Sequence, residues 1–308
     1  VLQGLHHVTA IAGEPRPLLA FYRDLLGLRL IKRTVNFDDP GTWHLYFGDP
    51  AGSPGTAMTF FLWPEAPRGR IGNGQVTATG FAVPADALPF WTRRLEEARV
   101  RASGPHVRFD EAYLSVTDPD GLPLELVARD DFTGFTEPAA GEVPAAAAIR
   151  GFSGVSLSVE GADRTLAVLR DYLRFREVGR EADRTRLQTG PEGRVATIDV
   201  RERPDLPRGL VAVGQTHHVA FNTPDDATQY RVRERLMEVG LHPTGVVDRS
   251  YFRSVYCREP GGVLLEFATT GPGFTVDEPL DRLGERLVLP PWHEERRAEL
   301  ESKLPPLE

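Results

Sequence analysis

Gly74-Gln75-Val76-Thr77-Ala78-Thr79-Gly80-Phe81-Ala82-Val83-Pro84-Ala85-Asp86-Ala87 lies without gaps on Gly214-Gln215-Thr216-His217-His218-Val219-Ala220-Phe221-Asn222-Thr223-Pro224-Asp225-Asp226-Ala227, an offset of 140 residues. Further along, Asp118-Pro119-Asp120-Gly121-Leu122-Pro123-Leu124-Glu125 matches Glu259-Pro260-Gly261-Gly262-Val263-Leu264-Leu265-Glu266 at an offset of 141. A weaker pairing sets Gly4-Leu5-His6-His7-Val8-Thr9 on Gly151-Phe152-Ser153-Gly154-Val155-Ser156, at an offset of 147. Self-similarity at a fixed period marks a chain assembled from one repeated supersecondary unit. The chain reads as two similar halves of two units each.

Each unit has the same coarse order. A short β-rich run such as Leu5 to Ile11 comes first, and an amphipathic helix follows: Pro17 to Leu26, Ala87 to Ala98, Asp163 to Leu173 and Asp226 to Val239 in the four units. In unit four Tyr230, Leu236 and Val239 supply the helical spacing, Thr223-Pro224-Asp225-Asp226 offers a cap, and Gly240 ends the helix. Three short strands complete a unit, ending in runs such as Thr56 to Leu62 or Val263 to Ala268. The expected organisation is an N-terminal half over 1–136, with units at about 1–66 and 74–132, then a Pro- and Ala-rich linker over 137–149. A C-terminal half follows over 150–272, with units at about 150–203 and 212–272, and then a tail over 273–308 with a helix from Glu294 to Leu304.

Composition narrows the function classes. The 308 residues, 41% hydrophobic and 26% charged, can bury more than one core. A net charge of −8 without a basic stripe argues against nucleic acid and acidic membrane as partners. The single cysteine, Cys257, permits no internal disulfide, and no apolar run approaches the roughly 20 residues of a bilayer span. With no signal-peptide pattern at the start, the expectation is a soluble cytoplasmic protein, and a homo-oligomer is allowed.

Two histidine doublets, His6-His7 and His217-His218, stand in matching repeat registers, with Glu266 downstream of the second. Two imidazoles and one carboxylate on strands of repeated units are the donor set of a divalent iron site with open positions. Strand alternation sends neighbours to opposite faces, so a regular strand offers one member of each doublet to a metal. Periodicity does not say which. Unit two has Ala78 at the place of His218, and unit three has Gly154 at the place of His7. If metal cups form from pairs of units, one should pair with four, and two with three should make an empty cup. Aligning Pro54 to Phe60 on Pro260 to Glu266 puts Phe60 at the place of the glutamate. That leaves three protein ligands and open coordination positions.

Four βαβββ units paired into two half-barrel domains, an α+β architecture, resemble the vicinal oxygen chelate superfamily of glyoxalases and extradiol dioxygenases. The runs Leu5-His6-His7-Val8-Thr9, His217-His218-Val219 and Asp248-Arg249-Ser250-Tyr251-Phe252-Arg253-Ser254-Val255-Tyr256 resemble the hydroquinone and chlorohydroquinone ring-cleaving dioxygenases. Tyr46-Phe47-Gly48-Asp49, Pro54-Gly55-Thr56 and Thr59-Phe60-Phe61-Leu62-Trp63-Pro64 add to the likeness. The resemblance implies His7, His218 and Glu266 as ligands of Fe(II), with Mn(II) a rival, and a small aromatic diol and O2 as substrates. Tyr256 is expected to donate to oxygen at the metal, Arg249 to orient Tyr256 or substrate, and Thr9 to bond a substrate oxygen. His6 and His217 become candidate proton carriers. His44, His106, His242 and His293 lack comparable context and read as ordinary. Phe60, Phe61 and Trp63 read as core that could also face a substrate. A glyoxalase-like isomerase or transferase, which would want a fourth carboxylate, and a metal-free ligand-binding member are the alternatives.

Overall fold

The computed structural model describes residues 2–132 and 142–307, so part of the expected linker lies outside the described residues. Unit one runs β1 (Leu5–Ala12), α1 (Pro15–Leu19, continued by wide turns over Ala20–Leu25), β2 (Arg29–Asn36), β3 (Asp39–Gly48) and β4 (Ala57–Leu62). Unit two holds β5 (Gln75–Val83), α2 (Leu88–Glu97), β6 (Ala102–Arg108), β7 (Glu111–Thr117) and β8 (Pro123–Ala128). Unit three holds β9 (Phe152–Val159), α3 (Asp163–Ala167, continued by wide turns over Val168–Tyr172), β10 (Arg176–Glu181), β11 (Arg184–Thr189) and β12 (Ala196–Glu202). Unit four holds β13 (Gln215–Thr223), α4 (Asp226–Glu238), β14 (Val247–Asp248), β15 (Phe252–Arg258) and β16 (Leu264–Pro272), and the tail carries α5 (Arg297–Lys303).

The helices stand where the periodicity puts them, with two differences. Those of units one and three loosen into π-type turns over their second half. In unit four the Asp225 side chain accepts from the Thr228 amide at 2.6 Å, the expected cap. Yet α4 turns Thr228, Gln229, Val232 and Leu236 inward, and Tyr230 faces solvent. Gln229 lies inside because its amide donates to the Arg253 and Phe267 carbonyls, each at 2.7 Å, tying the helix to its sheet.

Two eight-stranded sheets form, in the orders β14-β15-β16-β13-β1-β4-β3-β2 and β10-β11-β12-β9-β5-β8-β7-β6. Each takes one unit from each half of the chain: one with four, two with three. The helix-facing sides carry the core, including Leu18, Tyr22, Phe47, Phe60, Phe221 and Phe267 around the first sheet and Trp91 and Phe81 around the second. Burying each large apolar side chain contributes roughly 1.5–3 kcal/mol.

One irregularity in the central strands decides the site. In the β1–β13 ladder Leu5 faces Phe221 and His7 faces Ala220, leaving His6 as an extra residue; Thr9 faces His218 and Ala10 faces Thr216, leaving His217. Both first histidines are therefore β-bulge residues. The second sheet keeps the same two bulges at Thr77 and Ser153, so they belong to the repeat itself.

Candidate metal centre

The bulges overturn the expectation that the two members of a doublet face opposite ways. Strict alternation fails where a strand carries an extra residue. The Nδ1 atoms of His6 and His7 lie 2.9 Å apart, and those of His217 and His218 lie 2.7 Å apart. Each first histidine thus holds the inner nitrogen of the second and leaves the outer Nε2 free.

The two free nitrogens converge with one carboxylate. His7 Nε2 and His218 Nε2 are 3.4 Å apart, and Glu266 Oε2 lies 3.2 Å from the first and 2.8 Å from the second. Ligands placed at right angles and roughly 2.1 Å from one centre stand about 3.0 Å from each other, so this spacing is that of one face of a coordination polyhedron. Glu266 is fully buried, and its Oε2 makes no properly directed hydrogen bond. An orphaned carboxylate oxygen aimed between two imidazole nitrogens calls for a cation. The other oxygen, Oε1, accepts from Ser254 at 2.5 Å, which fixes the carboxylate plane. A two-histidine, one-carboxylate triad able to hold a divalent metal is present.

Burial alone would raise the Glu266 pKa, but the His7 and His218 imidazoles hold it well below the usual carboxylate range. His6 and His217 are pushed down to about 3 by burial first and then by His7 and His218 respectively. His218 is lowered as well, by burial first, so His6, His217 and His218 favour the neutral form.

His7 and His218 floor a cavity of about 230 Å³ whose wall includes Thr9, His44, Tyr46, Phe61, Trp63, His217, Arg249, Phe252 and Tyr256. Arg249 donates from Nε to the Tyr256 hydroxyl at 3.1 Å and pairs with Asp38 at 3.0 Å across the mouth. Burial raises the Tyr256 pKa, so the phenol stays a donor. Phe252 packs 4.8 Å from the His6 ring and 5.0 Å from the His7 ring. Among the expected aromatic trio, Phe61 and Trp63 face the cavity while Phe60 sits in the core against Tyr22, 4.6 Å away.

Phe60 is accordingly not the counterpart of Glu266. Two residues beyond each ligating histidine, Ala220 pairs with Glu266 in one parallel ladder and Thr9 with Thr59 in the other. The loop after Pro54 differs by one residue from that after Pro260, and a one-residue slip moves a side chain to the opposite face. Thr59 takes the fourth-ligand place. It carries no carboxylate, so three protein ligands stand. Its hydroxyl bonds to Thr9 at 2.8 Å and His44 at 3.0 Å.

The sequence reading sets His44 aside as ordinary and gives Tyr46 no role at the site. His44 is half-buried, its pKa held well below 6.5 by desolvation first and then by His7 and His218, and its Nδ1 lies 3.1 Å from the Tyr46 hydroxyl. The ladders reveal a signal that could have found them. Tyr46 pairs with Thr59 as Tyr256 pairs with Glu266, so the two tyrosines occupy one repeat position; His44 and Ser254 occupy another. By contrast, His106 bonds Ser103 at an exposed edge and His293 bonds the Phe37 carbonyl at 3.3 Å.

The cup of the second sheet is not empty. Ladder counterparts of Glu266 and Thr59 there are Glu125 and Asp199, opposite Gly80 and Ser156. Arg108 donates to both Glu125 oxygens at 2.8 and 2.6 Å and places Nε 3.1 Å from Asp199. Arg186 clasps Asp199 at 2.7 and 3.0 Å. Guanidinium groups fill the space that the first sheet leaves open.

Curved sheets of paired βαβββ units around such a triad define a metal-binding protein of glyoxalase-like architecture. The sequence model of the Glyoxalase/Bleomycin resistance protein/Dioxygenase superfamily matches residues 4–126. MhqO of Bacillus subtilis strain 168, provisionally assigned as a ring-cleaving dioxygenase, is 43% identical over 306 residues, 99% of this chain and 96% of that protein. The chlorohydroquinone/hydroquinone 1,2-dioxygenase of Sphingobium indicum is 33% identical over 307 residues, 97% of this chain and 95% of that protein. A crystal structure from Bacillus subtilis subsp. subtilis str. 168, also provisionally a dioxygenase, matches with a TM-score of 0.95 at 42% identity, over 100% of this chain and 98% of that one. The chain belongs to the ring-cleaving dioxygenases of the Glyoxalase/Bleomycin resistance protein/Dioxygenase superfamily. Among the described residues no helix is long and apolar enough to cross a membrane.

Proposed function

We infer that the protein opens the ring of a hydroquinone-type aromatic diol with O2, using Fe(II) held by His7, His218 and Glu266. The observation that carries this reading is the convergence of two imidazole nitrogens and one carboxylate without a second carboxylate, since Thr59 stands at that place. Two neutral imidazoles and one carboxylate are the donor set of ferrous oxygenases, whose metal keeps positions open for two further ligands. When bound, the ion supplies a centre on which an ionised ring oxygen and O2 meet and electrons pass between them.

The chain's own residues do the rest. His6 and His217 fix the tautomer and orientation of the two ligating rings through their Nδ1 contacts. Tyr256, oriented by Arg249 and with its ring 5.7 Å from that of His218, would donate its hydroxyl to an oxygen of the bound substrates. Thr9 presents its hydroxyl on the opposite wall, and Phe61 and Phe252 bound an apolar slot. A cavity of about 230 Å³ is smaller than the roughly 300–1,000 Å³ of sites for drug-sized ligands and suits one substituted ring. The protein, purified without oxygen and loaded with Fe(II), is expected to consume O2 with methylhydroquinone or chlorohydroquinone faster than with catechol. Absence of uptake with every diol, despite bound iron, would overturn the reading.

A further inference from the structure

Tyr46, His44, Thr59 and Thr9 form one continuous hydrogen-bonded chain with successive spacings of 3.1, 3.0 and 2.8 Å. Its two end residues, Tyr46 and Thr9, both line the cavity. A neutral histidine and three hydroxyls carry four protons among them, and the chain has three gaps to fill. One proton is left over, and it must stand at an end. If Tyr46 donates inward to His44, His44 donates to Thr59, Thr59 to Thr9, and the Thr9 proton points out. If the chain runs the other way, Tyr46 points its proton out and the Thr9 oxygen accepts. The wall therefore offers a donor at one end and an acceptor at the other, and His44 couples the two.

The opposite wall is built from the same repeat positions with different chemistry. Ser254, in the place of His44, bonds Glu266, and Tyr256, in the place of Tyr46, is held by Arg249. Among the described residues no arginine hydrogen-bonds Tyr46; its ring packs against the His44 ring 4.2 Å away and Phe274 at 5.2 Å. Its hydroxyl is thus aligned by its hydrogen bond with His44.

We propose that Tyr46 and Thr9 form a two-point subsite that recognises a ring bearing two oxygens, one donating and one accepting, with His44 as the positioning residue that sets the polarity. This rests on the ring-cleaving reading for the kind of ligand, an aromatic diol. It predicts that a diol is held better than a monophenol because only the diol satisfies both ends.

The test is anaerobic titration of the iron-loaded protein with hydroquinone and with phenol. Wild type is expected to bind hydroquinone more tightly. Y46F and H44F should each weaken hydroquinone about 5- to 10-fold, the range of a single hydrogen bond, and leave phenol unchanged. The double variant should lose no more than either single one, since both break the same chain. H44Q, whose amide can accept from Tyr46 and donate to Thr59, should restore selectivity, which a merely structural histidine would not require. Iron content should stay constant throughout, as none of these side chains ligates. Equal weakening of both ligands, additive losses in the double variant, or failure of wild type to prefer hydroquinone would overturn the proposal. Preference for the diol with no O2 uptake would instead overturn the ring-cleaving reading and leave the subsite standing.

Discussion

The second sheet offers a sharp test of the idea that each cup needs a cation. Arg108→Leu removes both hydrogen bonds to Glu125, the two that this buried carboxylate receives among the described residues, at 2.8 and 2.6 Å. Asp199 keeps Arg186 through two bonds and has Arg184 at 3.5 Å, so the damage falls on Glu125. Leaving one partner of a buried ion pair uncompensated costs about 3–5 kcal/mol. For a chain of this size, at the low end of the usual scaling, that lowers the melting temperature by about 6–10 °C. Calorimetry on the single variant and on Arg108→Leu with Glu125→Leu measures it. The double variant should regain most of the loss, because replacing a buried pair by packed apolar groups is often neutral. Iron content and O2 uptake of the folded single variant should match wild type, since the network lies in the other sheet. An unchanged melting temperature, or a double variant as unstable as the single one, would refute the argument.

Glu266→Ala is expected to abolish iron retention after gel filtration, and unchanged iron content would remove it from the ligand set. Thr59→Glu places a carboxylate at the fourth-ligand position; metal should resist chelator longer while O2 uptake with hydroquinone falls, and uptake equal to wild type would show that the position does not reach the metal. Acid sensitivity follows from His6 and His217, whose folded pKa values near 3 lie below the unfolded 6.5. The unfolded chain binds more protons between these values, so metal-free protein loses stability as pH falls from 6.5 toward 3, by about 1.4 kcal/mol per pH unit for each histidine. Chemical denaturation of wild type and of His217→Phe across that window checks the sign; equal slopes would count against it.

Much of this was legible in the chain. The doublets, Glu266 and the loss of histidines at Ala78 and Gly154 follow from aligning the repeat, and they determine which units pair. What stayed hidden turns on single-residue shifts. The two members of each doublet read as facing opposite ways because pattern analysis assumes unbroken alternation, and a bulge leaves no mark in composition. Thr77 and Ser153, at the same bulge positions, resemble nothing that would betray it. Phe60 took the place of Thr59 because one loop is a residue shorter, and only hydrogen-bond register exposes the slip. His44 read as ordinary because its repeat partner is a serine; the Tyr46 to Tyr256 match two residues on was the available clue.

The two sheets solve one electrostatic problem in two ways, and the difference explains why only one is chemical. Carboxylates at the Glu266 position are buried on a concave face that cannot solvate them, so each needs positive charge close by. In the second sheet side chains supply it: Arg108 and Arg186 reach in from β6 and β11, and their size closes the cup. In the first sheet the repeat counterpart of Arg108 is Arg249, which turns to Tyr256 and Asp38 instead of the carboxylate, and the places of the β11 arginines carry other groups. Tyr46 and Tyr256 stand where β11 has Arg186, and His44 and Ser254 where it has Arg184. A compact ion in place of a guanidinium leaves room above it, and that room is the cavity. Losing the histidines and turning arginines onto the buried carboxylates are thus coupled changes: either alone leaves a charge without a partner or two cations in one cup.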